Sequence, residues 1–286
     1  MRFVLHDPTL GVDGGGQRWT KDLADWLSKR GHVCRVDSSR NPGPAPPGSV
    51  WLDMSGIGDI SLYPDRCIPY IWWHVPTSFK HEKAAAVSVL ASSKWSEQSF
   101  RSIWKRPAKV VPLFTASEGF CGDTGVLFLG RLTLAKGVLA ALRLRDALQG
   151  TGPVTIAGAT WSTPPDLTRA LQGSNVLANP TPTRVDNLYR EHKVFWQLAG
   201  LDSGPPEAFG LAAADAFARG MIVVAYAAGA IPEWLPERFL ADSERDILDK
   251  TTQALRGGIC PPTEEEIAVV RPRNFAENLR RVGVYW

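Results

Sequence analysis

The feature that most constrains this chain is an alternation. Short apolar runs of strand length are separated by longer stretches whose apolar residues recur at helical spacing. Residues 2–6 read as a first strand. Gly14, Gly15 and Gly16 follow, and then a helix over residues 17–30 that puts Trp19, Leu23, Trp26 and Leu27 on one buried face. Gly31 stops that helix, and residues 33–36 begin the next strand. A strand, a loop, a helix and a second strand in this order predict parallel pairing, because a helix is the usual crossover between parallel strands.

The alternation runs as two series. The first continues with strands at residues 50–53, 69–73 and 87–91, a helix over 94–104 and a strand at 109–113. Its proline- and glycine-rich stretch 41–48 reads as a surface loop. Small polar residues over 115–124 mark the boundary. The second series has strands at 126–130, 154–157, around 176, 194–196 and 222–225. Its helices fall at about 137–148, 166–171, 185–190 and 211–218. Two series in 286 residues predict two Rossmann-like α/β domains, residues 1–117 and 118–270, with a cleft between them. Residues 271–286 are expected to form a C-terminal helix that crosses back to the first domain.

Composition narrows the class. Hydrophobic residues make up 44% and charged residues 21%, close to the globular average, which excludes a disordered chain. Four cysteines (Cys34, Cys67, Cys121, Cys260) form no C-x-x-C pair, so neither a zinc ribbon nor a disulfide framework is expected. That usage fits a reducing, cytoplasmic compartment. No apolar run approaches the ~18 residues of a membrane span, so no transmembrane segment is expected, and the start of the chain lacks the apolar core of a signal peptide.

Three stretches carry chemistry. The Gly14–Gly15–Gly16 run lies between a strand and a helix, where backbone can approach an anion at a helix N-terminus. It matches neither the dinucleotide fingerprint nor the Walker loop, and a plain tight turn has the same composition. Next, Arg131 ends a strand and Lys136 stands at the mouth of a helix, so two cations lie where a ligand phosphate would sit. Two solvated charges on a loop would read the same way. The third stretch is the most specific. Glu207 precedes a helix and Asp215 lies inside it, eight residues on. Between them Phe209, Gly210 and Leu211 offer backbone N–H groups at the helix entrance.

This third stretch, Pro206-Glu207-Ala208-Phe209-Gly210-Leu211 with Asp215, Gly220, Val223-Val224 and Gly229 through Glu233, resembles the retaining GT-B glycosyltransferases of the GT4 type. The resemblance extends to Arg30-Gly31-His32, to residues 91–96 and 129–137, and to Phe195-Trp196 with Ala199-Gly200-Leu201. It implies an α/β GT-B fold, two Rossmann-like domains facing each other across a cleft. It implies transfer of a sugar from a nucleoside diphosphate sugar, a UDP-sugar favoured, with no other cofactor. Glu207 would bond hydroxyls of the donor sugar, and Arg131 and Lys136 would neutralise the diphosphate. Phe209, Gly210 and Leu211 would add backbone donors, and Gly15 and Gly16 would let the first domain close on the donor. His74 matches a cleft histidine near the transferred sugar. Asp215 would take the ribose hydroxyls in place of the family's usual Glu, and Gln197 stands where a subgroup carries His.

In such an enzyme the leaving phosphate helps to deprotonate the acceptor on the same face. The two-carboxylate arrangement of a retaining hydrolase is then unnecessary. The sequence has no Asp-x-Asp, no H-E-x-x-H and no His/Cys cluster, so no metal ligands are expected. Epimerases, phosphorylases and a non-catalytic sugar-nucleotide-binding module share the architecture and stay open as readings. For the acceptor, residues 80–109 carry seven Lys/Arg, among them Lys80, Lys83, Lys94 and Arg101, against Glu82 and Glu97. Such a patch suits a phosphate backbone, anionic lipid or plain solvent. The chain's compactness resembles viral glycosyltransferases that act on DNA. A hydroxymethylcytosine in DNA is therefore the expected acceptor, beside a lipid-linked, glycan or small-molecule hydroxyl.

Overall fold

The computed structural model describes residues 2–6, 15–38, 49–53, 67–71, 89–161 and 163–283. The chain forms two compact units, Met1–Ala116 with Arg271–Trp286, and Ser117–Val270.

The first unit holds β1 (Arg2–His6), α1 (Gly15–Ser28), β2 (Val33–Asp37), β3 (Ser49–Asp53), β4 (Cys67–Ile71), β5 (Leu90–Ala91), α2 (Lys94–Trp104) and β6 (Lys109–Val110). The strands make one parallel sheet in the order β2-β1-β3-β4-β5-β6. Phe3, Val4 and Leu5 are buried, as are Trp19, Leu23, Trp26 and Leu27 on one face of α1. The apolar spacing read from the sequence is thus the face that packs. Strand β4 begins two residues before the expected start because its ladder with β3 opens at Cys67, opposite Trp51. Residues 72 and 73 lie outside the described part. Ser93 caps α2, its hydroxyl accepting from Ser96 N at 3.0 Å.

The second unit runs β7 (Val126–Arg131), α3 (Val138–Ala147), β8 (Val154–Ala159), α4 (Pro165–Leu171), β9 (Leu177–Ala178), α5 (Pro182–Glu191) and β10 (Val194–Gln197). Then come α6 (Leu211–Ala218), β11 (Ile222–Tyr226), β12 (Leu240–Ala241), α7 (Glu244–Leu255) and α8 (Glu264–Ile267). The closing helix α9 (Pro272–Arg281) belongs to the first unit. The second sheet is also parallel, in the order β12-β11-β10-β7-β8-β9. Its central strands are unbroken apolar runs: Val126, Leu127 and Phe128, Val194, Phe195 and Trp196, and Ile222, Val223 and Val224 are each at most 2% exposed. Strands covered on both faces need this composition.

Several elements differ from expectation. Strands β5 and β6 are shorter than the apolar runs 87–91 and 109–113, since the ladder between them pairs only Leu90 with Lys109 and Ala91 with Val110. Strands β7, β8 and β10 run on to Arg131, Ala159 and Gln197, because the parallel ladder continues past the last bulky apolar residue. Helix α7 was not among the expected elements. Ser243 caps it, and Thr251 on its buried face accepts the indole N–H of Trp196 at 2.8 Å.

Candidate functional site

In the second sheet the chain leaves β7 toward β8 and β9, then returns to the other side of β7 with β10. The reversal falls between β7 and β10. In an open parallel sheet, loops diverge at such a point and leave a crevice beyond the strand ends. Arg131 closes β7, and Lys136 follows in a short 3₁₀ turn over Leu134–Lys136. Gln197 closes β10, and Glu207 lies in the connection from β10 to α6. The charged residues read from sequence therefore sit where the topology opens a site.

The two connections are fastened together. Gly137 has φ +79°, and a Cβ there would lie 2.4 Å from the carbonyl oxygen of Leu198. Only glycine fits that approach. Asp202, from the β10–α6 connection, accepts the N–H of Ala140 at 2.7 Å and so caps the start of α3. Arg143 bonds Asp202 at 2.9 Å and Glu244 at 2.8 Å, tying α3, this connection and α7 into one network. On the far side, Ala230 N donates to the carbonyl of Glu207 at 2.9 Å. Gly229, at φ +64°, lets the turn after β11 press against Glu207, since a Cβ would fall 2.3 Å from the Glu207 oxygen.

The outcome is a salt bridge between Lys136 Nζ and Glu207 Oε1. Their side chains are 23% and 16% exposed, so the pair is mostly withdrawn from water but open on one side. A charge pair in such a place is strengthened by the lower local dielectric. Beside it, α6 opens at Gly210, which is left-handed at φ 89° and caps no N–H with a side chain. Phe209 is buried, and its carbonyl accepts the indole N–H of Trp234 at 3.0 Å. The first helical carbonyl bond is Ala214 N to Gly210 O, which leaves the N–H groups of the first turn pointing out of the helix end. The amide of Gln197, 7% exposed, lies against Gly210 and accepts Ala199 N at 3.3 Å.

The remaining expected residues have other surroundings. Arg131 is exposed, and its guanidinium stands 5.4 Å from the centre of the Trp161 ring. Asp215 is fully buried and accepts the Ser117 hydroxyl at 2.9 Å, so the carboxylates of Glu207 and Asp215 have different partners. Gly15 and Gly16 are the first residues of α1, in the other unit. Lys94 is the exposed first residue of α2. Arg101 is tied to the buried Glu97 at 2.7 Å. His74, Lys80 and Lys83 lie outside the described residues. Among the described residues no group of three or more His, Cys, Asp or Glu is placed to hold a metal ion, and no helix is long and apolar enough to cross a membrane.

Two neighbours of the site were not singled out by the sequence reading. Trp161 follows β8, and Ser117 reaches Asp215 from the start of the second unit. Neither belongs to a recurring motif.

No family model and no curated protein matches the sequence. Solved structures do match. The glycosyltransferase AviGT4 of avilamycin A biosynthesis superposes with a TM-score of 0.68 at 18% identity, covering 98% of this chain and 97% of its own. HepE from Anabaena in complex with UDP gives 0.67 at 13% identity, with 98% of each chain covered. An α-glucosyltransferase in complex with UDP and a 13-mer DNA containing an HMU base gives 0.59 at 10% identity, covering 98% of this chain and 95% of its own. The chain has the GT-B fold. The resemblance read from the motifs and the backbone lead to the same architecture.

Proposed function

We propose that this protein is a glycosyltransferase that moves a sugar from a nucleoside diphosphate sugar, UDP-sugar first among them, to an acceptor hydroxyl with retention at the anomeric carbon. The observation that carries this reading is the Lys136–Glu207 ion pair at the sheet's reversal point, beside the open start of α6. Among the structures sharing the fold, HepE holds UDP.

The parts divide the work. The incoming diphosphate competes with Glu207 for Lys136, and Arg131 adds a second cation from the end of β7. The N–H groups of Leu211 and Ala212 at the start of α6 face the same anion. Released from Lys136, the Glu207 carboxylate accepts hydrogen bonds from the sugar's hydroxyls and holds its ring. As the glycosidic bond to phosphate breaks, negative charge gathers on the departing oxygen and positive charge on the sugar. Fixed cations at the phosphate stabilise that separation. The leaving phosphate oxygen takes the acceptor's proton on the face it has just vacated, which retains configuration. Lys136 and Arg131 supply the positive charge the diphosphate needs, so transfer proceeds without an added divalent cation. Asp215 is fully buried and accepts the Ser117 hydroxyl, so its carboxylate holds the start of the second unit and is closed to the ribose.

For the acceptor we propose a 5-hydroxymethylpyrimidine in DNA, hydroxymethylcytosine foremost. The fold is shared with the α-glucosyltransferase found with DNA containing an HMU base. Helix α2 and its flank add Lys94, Lys105 and Lys109 as exposed cations that a phosphate backbone could meet. The test is incubation of the purified chain with a panel of nucleotide sugars, with and without hydroxymethylcytosine DNA, in EDTA. Release of nucleoside diphosphate and a hexose-sized mass gain on the nucleoside are expected, with the anomeric configuration read by NMR. Turnover of no donor would remove the enzyme reading. Turnover that never marks DNA would remove the acceptor.

A further inference from the structure

Trp161 is exposed, at 55%. An indole left in water keeps a flat π face available to a ligand. Its surroundings are built rather than loose. Thr163 N bonds Thr160 O at 2.9 Å, closing a tight turn with Trp161 within it. Thr160 is held from one side by Asn179, whose Oδ1 accepts Thr160 N at 2.9 Å and whose amide donates to the Thr160 hydroxyl at 2.8 Å. Thr163 is held from the other side, its hydroxyl donating to the carbonyl of Leu132 at 2.8 Å. These bonds anchor Thr160 and Thr163, one on each side of Trp161. The ordering entropy that a ligand would otherwise have to supply is already spent in the fold.

The position is equally specific. In the β7–β8 ladder Arg131 pairs with Ala159, so Trp161 lies two residues beyond the partner of a proposed phosphate-binding arginine. The Arg131 guanidinium has no ion-pair partner among the described residues and stands over the indole at 5.4 Å from its centre. A flat π surface thus adjoins the cation proposed to bind the diphosphate. A ligand that carries a diphosphate and a flat aromatic ring matches both.

We infer that Trp161 is the stacking platform for the nucleobase of the donor, with Arg131 moving from the indole to the phosphates as the base arrives. This rests on the nucleotide-sugar reading of the site and extends it to the residue that recognises the base. Stacking is tolerant of base identity, because every base has a π face. Trp161 therefore sets how tightly a nucleotide is held rather than which one.

The experiment is calorimetric titration of the full-length protein with UDP and with inorganic pyrophosphate. Trp161→Ala should weaken UDP roughly 5- to 150-fold, the range for loss of one base stack. It should leave pyrophosphate unchanged, because the phosphate-binding cations remain. Trp161→Phe, which keeps a ring, should hold UDP within about threefold of the parent. Arg131→Gln should weaken both probes together. Equal loss of both probes in Trp161→Ala, or no loss of either, would overturn the stacking role while the nucleotide reading stands. Failure of the unmodified protein to bind either probe would overturn both.

Discussion

At the scale of single residues, the Lys136–Glu207 pair makes one test of the mechanism. Each side chain is mostly buried and neutralises the other, so removing one leaves the other as a partly desolvated charge. Lys136→Ala and Glu207→Ala should each lower initial transfer rates about 10²- to 10³-fold, the usual effect of losing a group aimed at developing charge. Because the two act as a unit, the double variant should fall little below the worse single one. Rate losses that simply multiply would show that they act separately. A second residue sets a pH dependence. His192 is 5% exposed, with Nδ1 2.7 Å from the Leu188 carbonyl and Nε2 2.8 Å from the Thr155 hydroxyl. A carbonyl only accepts, so Nδ1 carries the proton and Nε2 accepts from Thr155. The neutral ring is satisfied, and burial holds its pKa below the ordinary value. The unfolded chain takes up a proton near pH ~6.5 that the fold does not, so stability present above that value declines as the pH falls through it. Urea midpoints of the second unit should therefore drop between pH 7.5 and 5.5. His192→Gln should lose that part of the slope. An unchanged midpoint in the parent would contradict the assignment.

At the scale of elements, Asp202 does the work of an N-cap from a distance. It accepts Ala140 N at the start of α3 and pairs with Arg143, so it holds the segment carrying Lys136 against the connection carrying Glu207. Asp202→Ala should lower stability about 0.5–2 kcal/mol in urea unfolding. It should also lower the transfer rate through misplacement of Lys136. Asp202→Asn, which still caps, should lose less of both. The sequence could reveal the cations because Arg131 and Lys136 flank a strand end and a glycine, a local pattern. It could reveal the start of α6 because Gly210 precedes a run of small helix formers. Asp202 was illegible because its partner lies 62 residues away. Trp161 was illegible because β8 reads as stopping at Ala157. Only the pairing of Arg131 with Ala159 brings the indole to the site. Helix α7 escaped notice for a similar reason. Its buried face includes Thr251, whose place in the core depends on a bond to Trp196 from another element.

At the scale of the whole molecule, the alternation of apolar runs and amphipathic stretches set two parallel sheets in order, but chain order does not decide which core each element serves. Helix α9 follows the second unit in sequence and packs in the first. Its Phe275 ring lies 5.1 Å from Phe114, 5.6 Å from Trp19 and 6.3 Å from Trp26. Lys109 Nζ also reaches the Val282 carbonyl just beyond the helix, at 2.7 Å. An aromatic cluster built from α1, the end of the first series and the last helix closes only when the chain has come back. Truncating Phe275 to alanine should remove about 3–5 kcal/mol from that core, the usual effect of emptying a buried phenylalanine site. Native-state hydrogen exchange should then speed up by roughly two to four orders of magnitude in β1 and α1, if their amides exchange through unfolding of the first unit. The strands β7, β10 and β11 have their own buried core and should keep their parent protection. Because Lys136, Glu207 and α6 all belong to the second unit, Phe275→Ala should also still bind UDP while losing transfer to an acceptor. Equal acceleration in both sheets would show instead that the two units unfold as one, and that the returning helix stabilises the whole chain.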